Sequence, residues 1–134
     1  RWPRHLEIPL NLTPKYYPCR TIETAAGAMI AIQRAGLNVA AFSFAVQRAL
    51  WAQDRDIADV ETLRELAKEN VGEASAQLVR EPLAPDIRAI WDENLAEAQR
   101  IGIFGTPTYV YAGALFWGQD RLEFLERAIV DARL

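Results

Sequence analysis

Cysteine is nearly absent from this chain of 134 residues, which contains only Cys19. A single thiol cannot form an intrachain disulfide, a Cys-x-x-Cys redox pair or a thiolate-rich zinc site. Histidine is equally scarce: His5 is alone and has no thiol beside it, so we expect a surface histidine and predict no metal site. The lack of disulfides favours a reducing compartment, and we expect a cytoplasmic protein.

Long hydrophobic runs and basic clusters are also missing. Apolar stretches such as 39–42 fall far short of the roughly 20 residues that span a membrane, and the N-terminus lacks a signal-peptide pattern. Lys and Arg total 15 against 18 Asp and Glu, without a basic block that would follow a phosphate backbone. Neither a membrane nor a nucleic acid is therefore predicted as a partner.

The composition is that of an ordinary globular domain, because 51% of the residues are hydrophobic. Residues 1–20 are expected to form a loop, since their prolines remove backbone donors and restrict the preceding residues. Alternation of apolar and polar residues over 8–12 allows a short edge strand within this segment. The prolines concerned are Pro3, Pro9, Pro14 and Pro18.

Between Thr21 and Gly102 the pattern predicts five helices without an intervening strand. Asn38 and Asp59 suit the N-cap position, Pro85 suits a first helical turn, and Gly102 suits a helix end. The predicted helices cover about 22–34, 39–51, 60–70, 73–79 and 85–101.

The last third of the chain predicts a β-hairpin followed by a helix. Residues 108–111 are β-branched or aromatic throughout, which favours a strand. Ala112-Gly113 can turn the chain, 115–117 can return antiparallel, and Gly118 leads into a final helix. An apolar stripe on that helix consists of Leu122, Leu125 and Ile129.

Thr106-Pro107 is the first candidate functional site. An X-Pro bond that follows a glycine and precedes a strand can be cis, because a tertiary amide lowers the cost of the cis form. In a cis turn the Thr106 N–H and C=O would face outward and could pair with an extended peptide. The alternative is a plain trans proline at the start of an edge strand.

Gln119 and Asp120 form the second candidate site, at the predicted start of the last helix. Free N–H groups and the positive end of the helix dipole suit a carboxylate, and Asp120 could accept from an ammonium group. Together they describe a receptor for an α-amino acid. The alternative is that Asp120 is simply a favourable acid in the first turn.

Other reactive side chains have simpler structural explanations. Cys19 is expected to be a small buried hydrophobic residue rather than a nucleophile. Ser43 and Ser75 lie within helical patterns and outside any nucleophile elbow. The acids Asp54, Asp56 and Asp59 are explained by capping and solvation, and the tryptophans Trp51, Trp91 and Trp117 by core packing.

The two candidate sites belong to sequence motifs with a family resemblance. Residues 102–109 read GIFGTPTY and residues 115–122 read LFWGQDRL; upstream are Leu50-Trp51, Arg55-Asp56-Ile57 and Ile8-Pro9-Leu10. Together these motifs resemble the 2-hydroxychromene-2-carboxylate isomerases and the related kappa-class glutathione transferases. Trp117 and Gln119 favour the isomerase branch.

The resemblance implies an α/β fold of the DsbA-like thioredoxin type with a helical insertion. It divides the chain into a leading segment (1–20), a helical insertion domain (21–101) and the C-terminal ββα half of the thioredoxin-like domain (102–134). It also implies that the Thr106-Pro107 bond is cis, that the Thr106 backbone pairs with the cysteinyl part of glutathione, and that Gln119 and Asp120 hold the γ-glutamyl end. No catalytic residue is expected in this chain, because the family's catalytic serine would lie N-terminal to Arg1, in a βαβ part that the chain lacks.

The expected function is therefore a glutathione-dependent cis-trans isomerisation in aromatic compound degradation. Glutathione is the expected cofactor, a small aromatic carboxylate the expected substrate, and a homodimer the expected assembly. Two alternatives are a kappa-class transferase or peroxidase, and a non-catalytic helical binding or dimerisation module. Because an isolated two-stranded hairpin is marginal in water, we also expect further N-terminal sequence or a second chain to cover the hairpin edge.

Overall fold

The computed structural model describes residues 8–132, so the prediction for His5 lies outside the described residues. The chain divides into two compact units, Arg1–Asp92 and Glu93–Leu134. The predicted domain limits at 20/21 and 101/102 stay a prediction.

The first unit is helical. Its α-helices are α1 (Glu23–Arg34), α2 (Val39–Gln53), α3 (Val60–Asn70) and the beginning of α4 (Pro85–Arg100), with a 3₁₀ helix at Glu73–Leu78. Both predicted N-caps are confirmed: the Ala41 N–H donates to the Asn38 side chain at 3.0 Å, and the Thr62 N–H donates to the Asp59 carboxylate at 2.8 Å. These side chains satisfy amides that the first helical turn leaves without a partner.

The core of this unit lies between α1, α2, α3 and the 3₁₀ helix. Phe42, Ile32, Leu63 and Val79 are fully buried there. Ile32, Phe42 and Leu63 lie on α1, α2 and α3, and Val79 directly follows the 3₁₀ helix, so these four segments meet in one cluster. Burial of such side chains supplies the main stabilisation of the fold.

The second unit contains the end of α4, a two-stranded antiparallel sheet and α5 (Leu122–Asp131). Strand β1 (Thr108–Tyr111) pairs with β2 (Ala114–Trp117), and Thr108 lies opposite Trp117. Ala112 and Gly113 form the turn with positive φ values of 48° and 79°, as the sequence predicts for this position. No residue of α5 is buried, and Val110, Leu115 and Leu122 are exposed.

The structure differs from the sequence prediction at three places: one predicted strand is absent, one predicted helix is of the 3₁₀ type, and another starts with a 3₁₀ turn. Residues 8–12 form no strand; instead the Asn11 N–H donates to the Trp51 carbonyl at 2.6 Å, which ties the segment to the end of α2. The fourth predicted helix is a 3₁₀ helix, because the N–H and the hydroxyl of Ser75 both donate to the Gly72 carbonyl three residues earlier. The last α-helix begins at Leu122 rather than directly after Gly118.

Candidate functional site

The two predicted sites meet at one end of the hairpin. The Gly118 N–H donates to the Pro107 carbonyl at 2.9 Å, one position beyond the pair formed by Thr108 and Trp117. This bond extends the antiparallel ladder, so Thr106-Pro107 and Gly118-Gln119 leave the sheet side by side. The hairpin register thus brings together residues that are more than ten positions apart in the sequence.

Thr106 precedes Pro107 through a cis peptide bond, as the resemblance implies. Both residues are exposed. Within residues 8–132, neither the N–H nor the C=O of Thr106 has a hydrogen-bond partner. One donor and one acceptor at the edge of a strand are the groups that an added extended peptide would pair with.

Gly105 and Trp117 shape the loop before Thr106. The Phe104 and Trp117 rings pack with their centroids 4.9 Å apart, at an interplanar angle of 56°. A Cβ atom on Gly105 would lie only 2.6 Å from the Trp117 indole nitrogen, so a side chain there would collide with the ring. The Thr108 hydroxyl also donates to the Gly105 carbonyl. The prediction that Trp117 is a core residue is wrong, because its side chain is 52% exposed beside the site.

Gln119 and Asp120 lie in a 3₁₀ turn, Gln119–Arg121, rather than in the first turn of an α-helix. The Arg121 N–H already donates to the Gly118 carbonyl at 3.1 Å, so this amide is not free for a carboxylate. The predicted helix start is present as a 3₁₀ turn that leads directly into α5, and one of its amides is already occupied. Gly118 has a φ of 102°, a conformation that favours glycine and directs the chain out of β2 into the turn.

The Asp120 carboxylate is solvent-accessible, with 64% of its side chain exposed. Its Oδ2 atom lies 3.8 Å from Nε of the neighbouring Arg121. The carboxylate can therefore accept from an ammonium group, but in high-dielectric surroundings and beside a competing cation. The Asp120 carboxylate is thus an open acceptor two residues after Gly118, whose N–H joins this turn to Pro107.

The other candidate nucleophiles are structural. Cys19 is half-buried and packs against the core; burial raises the pKa of its thiol, and the charge of Asp56 raises this pKa further. Ser75 is buried and donates to the Gly72 carbonyl, and the Ser43 hydroxyl accepts from Gln47. These contacts leave none of the three side chains in an activated position.

The acids between α2 and α3 also have structural roles, as predicted. Asp54 accepts from the Lys15 N–H, Asp56 pairs with Arg20 at 2.8 Å, and Asp59 caps α3. Among the residues that the structure describes, no group of three or more His, Cys, Asp and Glu side chains could hold a metal ion. In the same residues no helix is both long and apolar enough to cross a membrane.

Comparison with known proteins agrees with this architecture. A family model described as a DsbA-like thioredoxin domain matches residues 1–130. The 2-hydroxychromene-2-carboxylate isomerase of Sphingobium xenophagum is 31% identical over 134 residues, which cover 98% of this chain and 64% of that protein. The enzyme of the same name from Pseudomonas sp. (strain C18) is 30% identical over 132 residues, covering 96% and 58%.

The chain thus spans about three fifths of the length of these curated relatives. No solved structure matches it significantly. The family match covers nearly the whole chain and agrees with the helical segment, the hairpin and the final helix. The chain belongs to the family of DsbA-like thioredoxin domains, and its curated relatives are isomerases.

Proposed function

We propose that the protein is a glutathione-dependent isomerase of the 2-hydroxychromene-2-carboxylate type, acting in the degradation of aromatic compounds. One observation carries the proposal: the Gly118–Pro107 hydrogen bond sets the unpaired Thr106 backbone beside the Gln119-Asp120 turn. The names of both curated relatives support the reaction type.

The residues at this end of the hairpin fit glutathione chemically. Glutathione is a tripeptide whose γ-glutamyl end carries both an ammonium and a carboxylate group. The N–H and C=O of Thr106 would pair with the cysteinyl backbone as an added strand does. The Asp120 carboxylate would accept from the ammonium group, and the Gln119 amide would donate to the carboxylate.

In such a reaction bound glutathione supplies a thiol that adds reversibly to the substrate and permits rotation about a carbon–carbon bond. The part played by this chain is to bind and orient. Thr106 fixes the peptide direction through two backbone hydrogen bonds, and Asp120 selects for a free amino group. Correct placement of a reacting group is by itself a large contribution to rate.

The test follows the absorbance of 2-hydroxychromene-2-carboxylate in the presence of the full-length protein. We expect turnover with glutathione, none without it, and competitive inhibition by S-methylglutathione, which keeps the γ-glutamyl end but lacks a free thiol. Equal turnover without glutathione would overturn the glutathione dependence. Conjugation of an electrophile such as 1-chloro-2,4-dinitrobenzene, with no isomerisation, would contradict the reaction type.

Replacement of Asp120 tests the amino-group contact. Because Asp120 is exposed, Asp120→Asn should weaken glutathione binding by up to about fivefold, the range for an exposed ion pair. Calorimetry measures the effect, and Asp131→Asn is the matched control on the exposed end of α5. Equal affinities for the two variants would leave Asp120 as a turn residue without a binding role.

The proposal includes a small aromatic carboxylate as substrate and a cytoplasmic homodimer as the assembly. Exposed apolar side chains on the hairpin, such as Val110 and Leu115, support a surface that another chain covers. Light scattering on the full-length protein is expected to give the mass of a dimer, and the mass of a monomer would contradict this part.

A further inference from the structure

A concave surface lies in the first unit and is lined by none of the residues proposed above to bind glutathione. It is a cavity of about 470 Å³ between residues 8–10 and the outer side of α2, where Phe44, Gln47, Arg48 and Trp51 line it. We call this cavity the α2 groove. Its volume lies in the range of small-molecule sites.

The walls of the α2 groove are fixed before any ligand binds. The Asn11 N–H donates to the Trp51 carbonyl at 2.6 Å, so the segment that forms one wall is tied to the helix that forms the other. The Trp51 ring packs on Tyr17, with centroids 5.0 Å apart, and it also contacts the core. A preformed wall lowers the entropy cost of binding.

The groove combines aromatic surface with one positive charge. Phe44 is 68% exposed, which is unusual for so large an apolar side chain, and Trp51 lies two helical turns further along α2. Arg48 lies between them and is exposed. Of the arginines that the structure describes, two form no ion pair with a described carboxylate, and these are Arg48 and Arg80.

We propose that the α2 groove binds a planar aromatic carboxylate, with its ring against Phe44 and Trp51 and its carboxylate on Arg48. The Gln47 side-chain amide donates one N–H to Ser43 and has a second N–H for the carboxylate beside the guanidinium. A neutral apolar ligand would leave the Arg48 charge without a partner. A phosphate ester is better bound by several cations, and among the residues that the structure describes Arg48 is the only charged one that lines the groove. The assignment of this ligand class as the substrate rests on the proposed function.

Calorimetry with 2-naphthoate on the full-length protein tests the site, with neutral 2-naphthamide as the matched ligand. We expect 2-naphthoate to bind more tightly than 2-naphthamide. Arg48→Gln should weaken the binding of 2-naphthoate by about fivefold and leave the affinity for 2-naphthamide unchanged. Added salt should weaken binding in the same direction. Phe44→Ala should weaken the binding of both ligands, because it removes an aromatic surface that both ligands contact.

Arg80→Gln is the control variant, since it removes the same charge from another exposed arginine of this unit. Binding that is unchanged in Arg80→Gln and weakened in Arg48→Gln supports the site. Equal losses in the two variants, equal affinity for the acid and the amide, or no binding of 2-naphthoate would each overturn it. Circular dichroism verifies that each variant is folded.

The outcome is separable from the test of the proposed function. If chromene isomerisation depends on glutathione but its KM is the same in Arg48→Gln, the α2 groove is not the substrate site and the proposed function stands. If 2-naphthoate binding depends on Arg48 but the protein does not isomerise the chromene acid, the groove stands and the proposed function fails.

Discussion

The close approach of Gly105 to Trp117 gives a quantitative test of how the loop before Thr106 is built. A Cβ atom on residue 105 would lie 2.6 Å from the indole nitrogen, whereas ordinary contact begins at 3.4 Å. The Trp117 ring must therefore move away by about 0.8 Å. A gap of that size removes a quarter to a half of the attractive energy of a packing contact. The contact at risk is the one between Trp117 and Phe104.

Gly105→Ala should consequently destabilise the protein by about 1–2 kcal/mol, within the range for overpacking. Gly105 has no positive φ, so an alanine meets no backbone strain there. In a Trp117→Ala background the collision is absent, and the same substitution should be neutral or stabilising by about 0.4–1 kcal/mol, because it restricts the unfolded chain. The sign of the effect should thus depend on Trp117.

A double-mutant cycle measures this dependence. The free energy of unfolding of all four proteins is obtained from urea titrations followed by circular dichroism at 222 nm, which does not rely on the tryptophan that is removed. We expect a coupling energy of about 1–3 kcal/mol between the two positions. If Gly105→Ala costs the same in both backgrounds, the close approach does not explain the glycine.

Three further predictions concern the first unit. Gly27→Ala should destabilise the protein, because the added Cβ would collide with the Leu83 side chain. In a Leu83→Ala background the same substitution should stabilise the protein by up to about 1 kcal/mol, because alanine has a higher helix propensity than glycine. Urea titration measures both effects. Hydrogen bonds from the start of α3 lower the pKa of Asp59 below its value in the unfolded chain. The Asp59 carboxylate therefore stabilises the fold above about pH 4, and this stabilisation is lost as the pH falls through the lower pKa of the folded state. Asp59→Ala should lower the free energy of unfolding by about 1 kcal/mol at pH 7 and by less at pH 2, and a loss independent of pH would contradict this. Burial raises the pKa of the Cys19 thiol, and the charge of Asp56 raises it further. Alkylation of Cys19 by iodoacetamide at pH 8 should therefore be slower than that of a free thiol and should be faster in Asp56→Asn. Equal rates in Asp56→Asn and the unchanged protein would refute the effect of Asp56.

Local features of the fold could be predicted from the sequence because they depend on residues close together in the chain. Asn38 and Asp59 cap their helices through amides within three positions, and the Ala112-Gly113 turn fixes the hairpin register. The same short-range logic identified Thr106-Pro107 and Gln119-Asp120 as unusual dipeptides. The sequence could not show that they share one end of the sheet without the register of the hairpin between them.

Tertiary structure decided the features that depend on distant partners or on competing hydrogen bonds. Residues 8–12 alternate like a strand, but their described backbone bond goes to the end of α2, so no ladder forms. Ser75 turned a helical pattern into a 3₁₀ helix by bonding to Gly72. These outcomes were set by geometry that apolar periodicity does not encode.

Exposure at both candidate sites was likewise a tertiary outcome. The sequence determined that Trp117, Phe44 and Arg48 lie on a strand and a helix, because periodicity and propensity are properties of the local chain. Only the fold decided that Trp117 covers Gly105, that Asp120 stays open to solvent, and that residues 8–10 lie opposite Arg48 to form a groove. The physical reason is that burial depends on which surfaces the folded chain brings into contact, and that information is distributed over the whole chain.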